Sequence, residues 1–144
     1  MLLERTVAAS TPNYRFLRLW QALGWVMVLA IVAGSLLPPE TVEPILPEWN
    51  DKLIHGSAYT SVAFWFAMLD RGPRRQALWA LGFALMGVAI EFLQRATGYR
   101  DFEVADMATN AIGVTLGWGF ARTPLVGLLE WVERLFGGRD GARR

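Results

Sequence analysis

A small set of polar residues in an otherwise apolar chain carries the chemistry this sequence can offer. Asp51, Lys52, His55 and Tyr59 lie in D-K-L-I-H-G-S-A-Y, and Glu91 and Gln94 in E-F-L-Q. Arg100 follows in a short polar loop, and Asp106 and Asn110 open the next apolar run. Asp51, His55 and Tyr59 are spaced by four, so one helix stacks them on one face, with Lys52 sharing part of it. Glu91 and Gln94 are three apart, and Asp106 and Asn110 four apart. Set in a low-dielectric site, Glu91 or Asp106 is a candidate general acid or base. His55 is a candidate proton carrier near neutral pH. Lys52 and Arg100 suit an anion such as phosphate or carboxylate, which Arg can bind bidentately. Together these groups allow chemistry on, or recognition of, a phosphorylated or carboxylated amphiphile.

Other chemistries find no support. Cysteine is absent, which removes disulfides, thiolate catalysis and thiolate metal sites together. His55, Glu91 and Asp106 could ligate a metal, but no H-x-x-x-H or H-E-x-x-H spacing accompanies them, and no metal is expected. The chain has no Walker loop, dinucleotide fingerprint or G-x-S-x-G elbow, so no cofactor is expected. A net charge of +1 gives no reason to expect nucleic acid or another general polyanion as partner. Each polar residue also has a structural reading. His55 and Asn110 can bond across helices. Glu91 can pair with Arg95, and Asp106 can complement a helix dipole. Gly113 and Gly117 form G-x-x-x-G, a close-packing face.

The elements that must hold these residues are membrane-length helices. Of 144 residues, 53% are hydrophobic and 19% charged, too apolar for an ordinary soluble domain of this size. The apolar residues fall in blocks near the length that spans a bilayer as a helix. After a polar lead over residues 1–15, the reading gives a transmembrane domain over 16–121 with spans at about 16–37, 53–69, 77–93 and 107–121. The basic start and small residues near Gly34 also resemble a secretory signal, but the run is long and more spans follow. Pro38, Pro39, Pro44 and Pro47 interrupt the chain after the first span. Beyond Pro124, Leu125, Leu128, Leu129, Val132, Leu135 and Phe136 recur at helical spacing, with Glu130, Glu133 and Arg134 on the other face. Residues 122–144 therefore read as a short amphipathic helix and a basic tail. The fold class expected is all-α, a four-helix transmembrane bundle with that short amphipathic helix lying on the membrane surface or covering the bundle end.

Orientation follows from the basic residues. Eleven of the 14 Lys and Arg lie in the lead, the loop between spans two and three, and the C-terminal stretch; only Lys52, Arg95 and Arg100 lie in the other loops. The positive-inside rule puts both termini in the cytoplasm, and the polar ends of spans two, three and four face outward.

With these residues in place, the chain resembles the VanZ-like family of small bacterial membrane proteins. The resemblance rests on Asp51, Lys52, His55, Glu91, Gln94, Arg100, Asp106, Asn110 and Gly113, in order and spacing, and covers roughly residues 17–121. Gly56 stands where the family often has an aromatic residue. The resemblance implies a multi-pass protein of the bacterial cytoplasmic membrane and a cell-envelope role, with a link to glycopeptide (teicoplanin-type) resistance at the level of the family. No reaction is firmly attached to that family. Three readings follow. The first is a protein that binds or acts on an amphiphilic envelope component, such as a lipid-linked cell-wall precursor, within the lipid bilayer. The second is an intramembrane hydrolase or transferase using His55, Glu91 or Asp106. The third is a structural protein whose polar residues staple the fold.

Overall fold

The computed structural model describes residues 12–38, 41, 51–98 and 102–137. Among them the chain is all helical. The helices are α1 (Leu17–Leu36), α2 (Asp51–Leu69), α3 (Pro73–Thr97), α4 (Val104–Phe120) and α5 (Leu128–Gly137), with a 3-10 turn at Pro124–Gly127 ahead of α5. Most of the lead (residues 1–11), most of the proline-rich loop, Arg100 and the basic tail (residues 138–144) lie outside the described residues.

Among the described residues two helices, α1 and α3, are long and apolar enough to cross a membrane. Val104–Phe120 with Pro124–Phe136 passes the same test only as a pair bent by 75°, giving up to three such elements. Helix α1 keeps within its expected span, while α2 and α4 start two or three residues before theirs and α3 runs past its apolar block at both ends. The third was expected at about 77–93, yet α3 spans Pro73–Thr97. Gly72 caps its start, and Pro73 in the first turn needs no N–H there. Its far end closes at Gly98, whose φ of 78° is the left-handed conformation that glycine adopts without strain. Apolar length reports the bilayer, whereas caps and prolines report the helix. The stretch after Pro124 likewise divides in two, because Thr123 Oγ1 accepts the Leu125 N–H (3.3 Å) and tightens the first turn.

The packing is inverted relative to a soluble protein. α2 is the central helix: Tyr59, Val62, Ala63, Phe66, Ala67, Met68 and Leu69 are all buried. An aromatic cluster joins it to α1 and α3, with Phe66 4.5 Å from Trp79, 5.3 Å from Phe83 and 5.5 Å from Trp25 between ring centroids. Leucines and other large apolar side chains of α1, α3 and α4 instead face outward, among them Leu23, Leu29, Leu81, Leu85, Ile112 and Leu116. Exposed apolar surface on this scale is what lipid would cover.

α2 and α4 touch backbone to backbone. A Cβ added to Gly113 would overlap the Gly56 carbonyl oxygen, and one on Gly117 the Thr60 carbonyl oxygen. The two glycines are one turn apart on α4, and their counterparts one turn apart on α2, so the G-x-x-x-G face lies along a ridge of carbonyls. Thr60 donates its hydroxyl to the Gly56 carbonyl (2.7 Å) within the same ridge.

Helix α5 and the chain ahead of α1 close the end of the bundle formed by the C-terminus of α2 and the N-terminus of α3. Glu133 accepts the backbone N–H groups of Arg15 (2.8 Å) and Phe16 (2.9 Å) and the Trp20 indole N–H (2.7 Å). No side chain of the local sequence caps α1, so a carboxylate from α5 meets the positive end of its dipole. Burial pushes the Glu133 carboxyl up, but the donors from Phe16, Trp20 and Arg15 outweigh it and hold it below its ordinary value of 4.5. Glu130 pairs with Arg71 (2.8 Å), which also donates to the Val126 carbonyl (3.1 Å). Tyr14 donates to the Met68 carbonyl (2.8 Å), and burial raises its hydroxyl above the ordinary value.

Candidate functional site

At the other end of the bundle α2 begins, α3 ends and α4 begins. Helix periodicity places Asp51, Lys52, His55 and Tyr59 on successive turns of α2, and the exposure of the described side chains falls inward, with Lys52 exposed, His55 buried and Tyr59 at 1%. Asp51 belongs to α2, but its side chain lies outside the described residues, as does Arg100. His55 is engaged by a contact within the protein.

The floor of the site is where three helices meet. Gly87 of α3 has no side chain, and a Cβ built there would lie 3.1 Å from Asn110 Cβ, 3.2 Å from Asn110 Nδ2 and 3.4 Å from Tyr59 Cε1. The missing side chain therefore lets α2 and α4 bring Tyr59 and Asn110 against α3. Glu91, one turn further along α3, is 1% exposed and Asn110 2%. Glu91 Oε1 accepts the backbone N–H of Glu103, the residue that caps the start of α4. A carboxylate from one helix again meets the positive end of another. Tyr59 Oη and Asn110 Oδ1 are buried without a hydrogen-bond partner among the described residues. Such groups are uncommon in a folded interior because leaving them unpaired costs free energy.

The rim is charged. Lys52 Nζ lies 3.0 Å from Glu103 Oε2 and 3.2 Å from Asp106 Oδ1. The cation that the sequence offered to an anionic ligand is thus held between two carboxylates. Gln94 points away from this rim and donates to the Ser35 carbonyl of α1 (2.9 Å) in a buried bond. The described part of the site therefore gathers Lys52, His55, Tyr59, Glu91, Asp106 and Asn110. Gln94 ties α1 to α3 beside it, and Gly113 and Gly117 hold α4 against α2.

Two contributors were missed by sequence reasoning. Gly87 is four residues before Glu91 and shares its face, so helical spacing would have found it. Glu103 lies three before Asp106, where an acid at the start of α4 is a recognisable signal. Reading 94–106 simply as a loop obscured it. No three His, Asp or Glu side chains among the described residues form a group that could hold a metal ion. A cavity of about 330 Å³ walled by Trp25, Phe66 and Trp79 opens at the opposite end, beside Asp70 and Arg75. It touches none of these polar residues.

The arrangement can accept hydrogen bonds from a bound group at Asn110 Oδ1, exchange one at Tyr59 Oη, and place both beside a carboxylate. No protein-family model matches the chain, and neither a curated protein nor a solved structure matches it.

Proposed function

We propose that the chain is a VanZ-like protein of the bacterial cytoplasmic membrane, a four-span bundle with both termini inside, whose outward-facing polar site binds the headgroup of an amphiphilic envelope component. The observation that carries this reading is the pair of unpartnered, buried polar atoms, Tyr59 Oη and Asn110 Oδ1, set beside Glu91. A headgroup with hydroxyl or amide donors would satisfy them, as would the sugar or peptide of a lipid-linked cell-wall precursor. The carboxylates of Glu91, Glu103 and Asp106 suit a donor-rich group better than a bare anion, since Lys52 is already paired. α2 and α4 are the two further spans. α2 is largely buried against its neighbours from Val62 to Leu69, so it needs less lipophilicity of its own there, and α4 shares the bilayer with it through the glycine contact. The split of basic residues supports the orientation.

Native mass spectrometry of the protein released gently from its own membrane tests the reading, with wild type beside Asn110→Ala and Tyr59→Phe. Wild type should carry a discrete amphiphile that both variants lose while remaining folded. Bulk phospholipid alone on all three proteins would sink the binding site. An enzyme using Glu91 as base would show otherwise: Glu91→Gln would keep the intact amphiphile, and wild type a processed form.

The structural staple is favoured by a different observation. Glu91, Gln94 and Lys52 each bond to protein, at the Glu103 N–H, the Ser35 carbonyl and the Glu103 and Asp106 carboxylates. On that reading Glu91→Ala and Gln94→Ala lower the yield of folded protein, and neither they nor Asn110→Ala and Tyr59→Phe change a bound species.

A further inference from the structure

Helix α5 docks the wrong way round for a protein in water. Leu128, Trp131 and Leu135 recur at helical spacing on one face and are 44%, 52% and 63% exposed. The opposite face carries Glu130 and Glu133, and it is this polar face that grips the bundle through Arg71, Trp20 and the chain entering α1. Of the apolar residues only Leu129, at the edge between the faces, is fully buried, against Tyr14, Met68 and Leu69. A soluble amphipathic helix would bury the leucine face and leave the carboxylates in solvent. The 75° bend after α4 carries α5 away from that helix's axis, while Phe120 and Leu125 continue the exposed apolar surface of α4 towards it. Both acids of α5 have protein partners, so the charge it shows outward is Arg134.

We propose that α5 is an interfacial anchor that lies along the surface of the bilayer crossed by the bundle, with Leu128, Trp131 and Leu135 in the acyl boundary and its carboxylates turned onto the protein. The partner is a lipid surface, and an anionic one suits it, because Arg134 is displayed while Glu130 and Glu133, though half-exposed, are each paired within the protein. The inference rests on the bundle being embedded in a membrane and is independent of any ligand beside Glu91.

The absence of native cysteine makes a direct test practical. Nitroxide labels are placed singly by Leu128→Cys, Trp131→Cys, Arg134→Cys and Leu135→Cys, with Leu85→Cys on α3 as the embedded reference. Full-length protein is reconstituted in vesicles of phosphatidylethanolamine and phosphatidylglycerol. Collisions with oxygen and with a water-soluble nickel chelate are then compared. Labels at 128, 131 and 135 should share one shallow depth, protected from nickel, and the label at 134 should be accessible to it. Nickel access at 128, 131 and 135 together, with Leu85→Cys protected, would overturn the anchor while leaving the bundle embedded. A depth that rises steadily along the helix would overturn it in favour of a continuing span. Spin–spin broadening that resists dilution with unlabelled lipid would replace the lipid surface with a second copy of the chain. Nickel access at Leu85→Cys would remove the embedded bundle and the anchor together.

Discussion

The two ends of the bundle use the same device to different effect. At each, a carboxylate from one helix receives backbone N–H groups at the start of another: Glu133 serves α1, and Glu91 serves α4. Around Glu133 the hydrogen-bonding capacity is largely used. Two backbone donors and the Trp20 indole reach it, and Glu130, Arg71 and Tyr14 bond nearby; Arg71 Nε and, in the last turn of α4, Trp118 Nε1 are the buried atoms left over toward that end among the described residues. Around Glu91 the inner groups are left open, because Tyr59 Oη and Asn110 Oδ1 have no partner among the described residues. An end whose polar groups satisfy one another is a brace. Two unsatisfied groups that converge on Gly87 lose stability that a bound group can restore, and that convergence beside Glu91 is the reason to look for function at this end.

The largest effect should come from breaking the joint that both ends share. Gly117→Ala would drive a Cβ into the Thr60 carbonyl and to 2.9 Å from Ala63 Cβ, and backbone cannot move aside as a flexible side chain can. The cost expected is about 3 kcal/mol, at the upper end for overpacking. Thermal unfolding in detergent should show a marked loss, with Gly82→Ala as control, since nothing lies within 4 Å of a Cβ there. Equal stability for the two variants would mean that α2 and α4 do not meet along the glycine ridge.

Next in size is the brace. Glu133→Ala removes the acceptor that substitutes for a cap on α1 and should cost about 1 kcal/mol, the usual value of a lost cap. The pH dependence has a definite sign. The folded carboxyl titrates below 4.5, so its contribution is fully present above that pH and is lost as pH falls through the lower folded value. Wild type and Glu133→Ala should therefore converge in melting temperature on acidification below 4.5. A gap that stays constant down to the most acid conditions would remove the charged carboxylate from the explanation.

Much of this contrast was legible in the sequence at one end and hidden at the other. Helical spacing brought His55, Tyr59, Glu91, Asp106 and Asn110 to one level, because an intramembrane polar residue stands out against its apolar surroundings. Glu130 and Glu133 do not stand out. On an amphipathic helix, carboxylates opposite leucines look like a solvated face, and only the tertiary fold shows them turned onto Arg71 and Trp20. Partner choice was equally unreadable at the Glu91 end. Spacing could not show that Lys52 meets Glu103 and Asp106, or that Gln94 bonds α1, since both depend on how neighbouring helices pack.

A third test bears on the open end itself. Tyr59→Phe removes the unpartnered hydroxyl and keeps the ring that packs in the core. Stability of the purified, ligand-free protein should be unchanged or slightly raised, within about 1 kcal/mol, because deleting an unsatisfied buried polar group relieves its desolvation cost. The stabilisation conferred by the bound amphiphile should fall at the same time. If Tyr59→Phe instead destabilises the ligand-free protein as much as Glu133→Ala does, the hydroxyl has a partner and the two ends are alike.

The smallest effect is expected at the rim. Lys52 is exposed and its pair with Glu103 is open to solvent, while Asp106 in the second pair is only 13% exposed; with the cation in water, pairing adds little to stability. Lys52→Met should lower the melting temperature less than Glu133→Ala, and only at low salt, because mobile ions screen exposed charges. The same variant separates two roles for the site. If Lys52 holds the start of α4 in place, the variant keeps its amphiphile and loses only a salt-sensitive part of its stability. If Lys52 leaves its carboxylates to meet a negatively charged headgroup, the bound amphiphile is lost while the melting temperature of the ligand-free protein stays near that of wild type. Since the described rim sets Lys52 between Glu103 and Asp106, retention of the ligand is the expected result, and it would mark the open end as a site for hydrogen-bond donors rather than for anions.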